Sequence, residues 1–385
     1  MNIGITTYFN IKNYGSALQA FAMRHFLTQN GHTALFLNVK EQQSVHKLLH
    51  KLHVGAVTAA KCALSKEARQ TQQEIRRLKR ETTTVITPRT VELFDSFEKN
   101  FLPSVSIGRI ALKKRAASNE FGAFICGSDQ IWSPLSAHLS GFKFLNFAPK
   151  AKRIAYAPSF GVSKIPSYNR AFIKKQLTGI TDISVRELQG AEMVKELTGR
   201  DVPVVLDPTM LHTGEQWRSL YQANTAPADG SDYILCYFFD EPSEEIVAKI
   251  CRFAADKQLQ VRVLVASNKA FLEKGAVLVD AGPMEFLQLI DNARYVFTNS
   301  FHGCVFSVLF EKEFIAFGRN HSNAVKQTSR IETLLQRIGA EESFYKDGQD
   351  AFIFPNTQGF HDAIAPLRAA SSDYLTNCLK KRDSK

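Results

Sequence analysis

Residues 2 to 39 limit what this chain can fold into. Asn2 to Tyr8 reads as a short strand. "KNYGSALQAFAMRHFLTQNGH" follows, and its Leu18, Phe21, Ala22 and Phe26 fall on one helical face. Asn30-Gly31 is a helix stop, and "TALFLNV" (33–39) is the next strand. A strand–turn–helix–strand unit of this kind opens a parallel α/β domain. The pattern recurs. "AFICGSDQIW" (123–132), "RIAYAPSFG" (153–161), "DISVRE" (182–187) and "PVVLDPT" (203–209) read as strands with polar ends. A second α/β series begins at "DYILCYFF" (232–239). A helix from about Ser243 to Lys257 and the strand "VRVLVAS" (261–267) follow. Helix "PMEFLQLIDNA" (283–293), strand "YVFTN", helix "GCVFSVLF", strand "FIAFG" (314–318) and helix "SRIETLLQRIG" (329–339) complete it. Ser329 and Glu332 have the spacing of a capping box.

Two α/β halves therefore flank a boundary between about 165 and 230. A chain of 385 residues is too long for one ordinary core. The expected division is 1–180 and 181–385. The first part carries a basic helical insertion at about 40–100, and the second ends in a helical tail.

With 44% hydrophobic and 22% charged residues, the composition is that of a globular protein. Lys and Arg number 48 against 37 Asp and Glu, a formal charge of +11, which favours anionic partners. No nucleic-acid motif accompanies the charge. None of the six cysteines forms a C-x-x-C pair, so they read as small buried hydrophobes in a reducing compartment. "MNIGITTYFN" lacks the features of a signal peptide, and no run approaches the length of a membrane span. The expected location is the cytoplasm. Peripheral contact with the inner face of the cytoplasmic membrane, through residues 44–81, is an open alternative. That segment carries nine Lys and Arg against three Glu, with Val45, Leu48, Leu49 and Leu52 on one helical face. The commoner behaviour, and the expectation here, is that such leucines pack on the first domain while the charges are solvated.

In open parallel sheets, ligands bind outside the carboxyl ends of the strands. The polar residues there are Asn13 and Gly15; Ser128, Asp129 and Gln130; Ser159; Arg186 and Glu187; Asp207; and Asn299, Ser300 and His302. His302 follows a buried strand and precedes a helix at Gly303. That helix start would offer free N–H groups to an anion, and glycine would let a ligand approach the backbone. A histidine there can exchange a proton with a ligand; it can equally cap its own turn. Arg186 reads as a cleft cation or as a surface ion pair with Glu187 or Glu192. Arg330, in the first turn of its helix, opposes the dipole unless it faces an anion. Asp129 reads as a ligand-holding or as a turn-forming aspartate. "NYGSALQ" lacks the full dinucleotide and Walker patterns, which weakens nicotinamide and ATP readings. No Asp/His cluster has metal spacing, so no metal and no cofactor is expected.

Together "NYGSALQAFAM" (13–23), "AFICGSDQIWSP" (123–134), "AYAPSFG" (155–161), "SVRE" (184–187), "VLDPT" (205–209), "TNSFHG" (298–303) and "SRIETLLQRIG" (329–339) resemble the polysaccharide pyruvyl transferase family. They occur in the family's order over most of residues 1–340. The 40–100 segment and the tail after about 340 have no counterpart. The resemblance implies two facing Rossmann-like domains, as in two-domain (GT-B type) glycosyltransferases. It implies transfer of the pyruvyl group of phosphoenolpyruvate to two hydroxyls of a sugar, giving a cyclic ketal and phosphate. The acceptor would be a cell-surface polysaccharide or its lipid-linked precursor. On this reading His302 is general acid or base and Asp129 positions hydroxyls. Arg186, Arg330, Asn13, Gly15, Ser128, Gln130, Ser159, Ser300, Gly303 and Ser329 bind substrate. Some members carry an arginine two residues before the histidine. Ser300 stands there in this chain, so other cations would hold the donor. A nucleotide-sugar glycosyltransferase of the same shape and a non-catalytic glycan-assembly protein are the alternatives.

Overall fold

The computed structural model describes residues 1–39, 44–81, 86–264, 269–319 and 329–383. Strand β1 (Asn2–Thr6) lies inside a sheet because Ile3 and Ile5 are apolar toward a core and both are fully buried. Around it β2 (Thr33–Val39), β3 (Ser104–Ile107), β4 (Ala123–Cys126), β5 (Arg153–Ala155) and β6 (Asp182–Ile183) form a parallel sheet. Its order is β3-β2-β1-β4-β5-β6. A second parallel sheet holds β7 (Tyr233–Tyr237), β8 (Gln260–Leu264), β9 (Val277–Leu278), β10 (Tyr295–Thr298) and β11 (Glu313–Ala316). Its order is β11-β10-β7-β8-β9. Strand order reverses between β1 and β4 in one sheet and between β7 and β10 in the other. Such switch points open crevices at the strands' carboxyl ends.

The helices of the first half are α1 (Tyr14–Gln29), α2 (Ser44–Leu64), α3 (Lys66–Glu81), α4 (Pro88–Phe101), α5 (Arg109–Ala117), α6 (Ser167–Leu177) and α7 (Leu188–Thr198). The second half has α8 (Gly214–Gln222), α9 (Glu244–Asp256), α10 (Lys269–Glu273), α11 (Pro283–Asn292), α12 (Phe301–Leu309), α13 (Ser329–Ile338) and α14 (Phe360–Asp383). No helix among the described residues is long and apolar enough to cross a membrane. All six cysteines are free, and Cys126, Cys236, Cys304 and Cys378 are buried.

One apolar cluster runs through both halves, and α1 is its hub. Tyr14 stacks on Phe286 of α11 at 4.6 Å and donates its hydroxyl to the Ala281 carbonyl at 3.1 Å. Phe21 packs against Trp217 of α8. The first sheet takes in β6, so the division expected at 180 falls just before its last strand. Helix α14 also returns to the first half. Arg382 donates to Asp182 at 2.7 Å, and the Ser371 hydroxyl accepts from the Leu206 amide at 2.9 Å.

Several local expectations change. "PVVLDPT" forms only an isolated bridge, Val204 with Val185, then a single 3-10 turn at Pro208–Leu211. Pro203 and Pro208 cannot donate to a ladder. "RIAYAPSFG" is a strand only to Ala155, since Ala157 takes a positive φ of 52° and Pro158 follows. Helix α13 already includes Ser329, and the Ser329 hydroxyl is buried without a hydrogen bond, so the expected capping box does not form. The leucines of α2 do not pack on the first domain. Leu48, Leu49 and Leu52 are 59%, 57% and 61% exposed. Val45 lies outside the described side chains.

Candidate functional site

The two switch points face each other across a cavity of about 400 Å³. The first sheet's loops supply Tyr8, Asn13, Ser16, Asp129 and Gln130 to its wall. From the second come Phe239, Ser300, Phe301, His302, Arg319 and Arg330.

Asn13 caps α1, its Oδ1 accepting the Ser16 amide at 3.0 Å, and this brings the Ser16 hydroxyl within 2.6 Å of Asp129 Oδ2. Asp129 itself has φ 63°, a left-handed conformation that aspartate tolerates better than most residues. Its carbonyl accepts the Ser159 amide at 2.8 Å, which fixes the turn.

His302 is the second residue of α12 and is 5% exposed. Its Nε2 is buried and points to Asp207 Oδ2 at 3.6 Å, an ion-pair distance too long for a hydrogen bond. The imidazole lies directly over Gly15. A Cβ built there would overlap Nδ1, so glycine at 15 makes room for the histidine. Gly303 has a different purpose from the one expected. A Cβ there would run into the Thr298 side chain, so Gly303 seats α12 on the end of β10 rather than admitting a ligand. The expected anion site at the start of α12 is partly satisfied from within, because the Ser300 hydroxyl accepts the Gly303 amide at 3.2 Å.

Arg186 is 4% exposed and lies beneath the cavity wall. It donates to Asp207 at 2.7 Å, stands 3.6 Å from Asp129, and stacks 4.3 Å from the Phe301 ring. Ser128 and Ser159 are buried supports. The Ser128 hydroxyl is 2.8 Å from Asp207 Oδ2, and that of Ser159 donates to Glu187 at 2.8 Å. Of the residues proposed from sequence, His302, Asp129, Arg330, Asn13, Gln130 and Ser300 thus share the cavity wall. Arg186, Gly15, Ser128, Ser159, Gly303 and Ser329 stand behind it. Arg319 was not among the strand-end residues read from sequence, and Asp207 was among them but without a role in the site. Asp207 was visible as a polar residue after an apolar run. Arg319 stands three residues past β11, as Asp129 does past β4, so the same strand-end signal could have found it.

The charges explain one another. Burial alone would raise the Asp207 carboxyl; His302 and Arg186 outweigh it and hold the group far below the usual carboxylate range. For Asp129 burial again raises, while Arg186, His302, the Ser16 hydrogen bond and Arg330 together lower it below its ordinary value. Burial pushes Arg330 down to about 9, and the nearby Arg186 and Arg319 add to that. Among the described residues no group of three or more His, Cys, Asp or Glu side chains is arranged to hold a metal ion.

The fold has solved relatives. Over 97% of this chain and 89% of the other, it matches a putative UDP-N-acetylglucosamine 2-epimerase from Listeria monocytogenes, with a TM-score of 0.51 at 9% identity. It matches the S. aureus MnaA–UDP co-structure over 95% of this chain and 87% of that one, with a TM-score of 0.50 at 9% identity. A more distant match is the E. coli heptosyltransferase WaaC with ADP, at a TM-score of 0.38, 10% identity, and 85% and 90% coverage. The arrangement is that of two parallel-sheet α/β domains in the GT-B manner. No curated protein matches the sequence significantly. The family model for polysaccharide pyruvyl transferase matches residues 13–321, which span every wall residue of the cavity except Tyr8, Ile11 and Arg330, and the chain belongs to that family.

Proposed function

We propose that this cavity transfers the pyruvyl group of phosphoenolpyruvate to two hydroxyls of one sugar in a cell-surface polysaccharide or its lipid-linked precursor. The observation that carries the reading is the meeting of Arg319 and Arg330 with His302 and Asp129 on one wall, drawn from two domains. Phosphoenolpyruvate is a compact polyanion. An anion between Arg319 and Arg330 relieves the burial and mutual repulsion that now disfavour the Arg330 charge.

The reaction then runs as follows. One proton is delivered to the methylene carbon, which becomes the methyl group. The first sugar hydroxyl adds to the neighbouring carbon and loses its proton. The second hydroxyl displaces phosphate from that carbon and loses its own. Of the two protons the diol gives up, one balances the new methyl and the other leaves with phosphate. His302 passes these protons. Its Nε2 is turned to Asp207, so Nδ1 is the nitrogen available to a ligand, and Asp207 holds the ring in place. Asp129, kept ionised by its surroundings, accepts a hydrogen bond from an acceptor hydroxyl. Arg186 holds Asp129 and Asp207 in register from below.

Incubation with phosphoenolpyruvate and a panel of free, nitrophenyl and lipid-linked sugars, following phosphate release, tests the reading. Release only in the presence of a diol acceptor supports it. Turnover of a nucleotide sugar with no response to phosphoenolpyruvate would assign the cavity to glycosyl transfer instead. Binding without turnover of either would leave a glycan-assembly protein.

A further inference from the structure

Helix α2 turns its apolar stripe away from the protein. Leu48, Leu49 and Leu52 are exposed and are continued along the same face by exposed Ala56, Ala59 and Ala63. At ~100° per residue these six occupy roughly a third of the helix circumference. The half-buried side is the opposite one, with His50, Val54, Val57 and Lys61, whose ammonium reaches Asn169 of α6 at 2.6 Å. An amphipathic helix of a globular protein normally does the reverse.

The surroundings are basic. Between Ser44 and Ser65 the sequence contains no Asp or Glu, and neither does α5. A cavity of about 650 Å³ separates the two helices, lined by His50, Arg109, Ile110, Lys113, Phe142 and Phe147. Arg109 and Lys113 are exposed beside Ile110, itself 76% exposed. Burial and then the positive neighbours His50, His53, Lys61 and Arg109 push the His138 imidazole below its ordinary value, which reports the sign of the local field.

We propose that the outward face of α2, with Arg109, Ile110 and Lys113 at its edge, docks on an anionic bilayer leaflet. Exposed leucines beside cations and without carboxylates match the apolar boundary and charged headgroups of such a surface. A second copy of this chain fits poorly, because a two-fold contact would set the same cations against each other. The face also lies at the catalytic end of the first sheet. Val39 ends β2 and Arg109 follows the carboxyl end of β3, as Tyr8 and Asp129 follow those of β1 and β4. Lys143 joins the two regions. It adjoins Phe142 in the docking cavity and bonds to the Tyr8 hydroxyl at the other, 4.2 Å from the ring centre. A docked protein therefore presents its cleft beside the leaflet.

Vesicle flotation at low salt tests this independently of catalysis, so its failure leaves the pyruvyl reading to phosphate release on free sugars. The full chain should float with phosphatidylcholine–phosphatidylglycerol vesicles and remain behind with phosphatidylcholine alone. Leu48→Glu/Leu52→Glu and Arg109→Glu/Lys113→Glu should each cut the bound fraction by about tenfold or more at unchanged Tm. Lys257→Glu/Lys274→Glu, with the same charge change on exposed positions of the second domain, should float like wild type. No flotation, or equal loss in the second-domain variant, overturns the proposal. So does a dimer in size-exclusion chromatography that Leu48→Glu/Leu52→Glu dissolves.

Discussion

The Asp207 carboxylate stands 3.6 Å from Nε2 of His302, where the chain passes from the first sheet to the second. The same carboxylate is 2.7 Å from Arg186, and Asp207 is buried. Its position therefore serves the imidazole and the guanidinium at once.

Asp207→Asn should destabilise the fold in a pH-dependent way. A carboxyl depressed in the folded state contributes stability above its unfolded value, about 4, and loses it as pH falls through the folded value. At neutral pH the change should cost about 3 kcal/mol, because Arg186 keeps only the longer contact to Asp129. The gap from wild type should narrow in acid. Denaturant melts at several pH values check it, and an equal loss throughout would contradict the charge argument.

Gly15→Ala sets two effects against each other. Alanine favours a helix over glycine by about 1 kcal/mol. The added methyl, however, overlaps the His302 ring. Displacement should win, and phosphate release should fall by about 100-fold, the scale of an ångström's misplacement of a reacting group. Near-normal turnover with a raised Tm would show that the ring can shift without cost.

His302→Ala should remain folded and lose ~10²-fold or more in turnover, as for other acid–base groups. Phosphoenolpyruvate should still raise its Tm, since the cavity arginines remain. Wild-type turnover in this variant would remove His302 from the proton path.

The arginines should separate into two kinds. Arg319→Ala and Arg330→Ala, on the cavity wall, should shrink the Tm rise caused by millimolar phosphoenolpyruvate. Arg186→Ala should already lower Tm without ligand, because it takes from the buried Asp207 carboxylate its guanidinium and leaves it the His302 imidazole and the neutral donors of Ser128 and Thr209. If all three behave alike, the division between wall and support fails.

The alternation of strands and helices was legible because its cause is local. "NIGIT" and "YVFT" are apolar runs of strand length, and Ser243 caps its own helix, accepting the Ile246 amide at 3.3 Å. His302 and Asp129 could be placed at strand ends for the same reason. What the sequence could not show is whom each residue meets. Gly15 and His302 are 287 residues apart, and only the packing of α1 on α12 brings them together. Arg186 read as a cleft cation or a surface ion pair, yet it is buried, and the Asp129 and Asp207 carboxylates offset the cost of taking its guanidinium out of water. Arg319 enters the site through the course of the second sheet. The leucines of α2 follow a helical period that fits either a core or a surface, and the period holds no information about which side is covered. Local periodicity determined the elements of this protein; the tertiary structure decided which charges are paired, which glycines make room, and which apolar face is left outward.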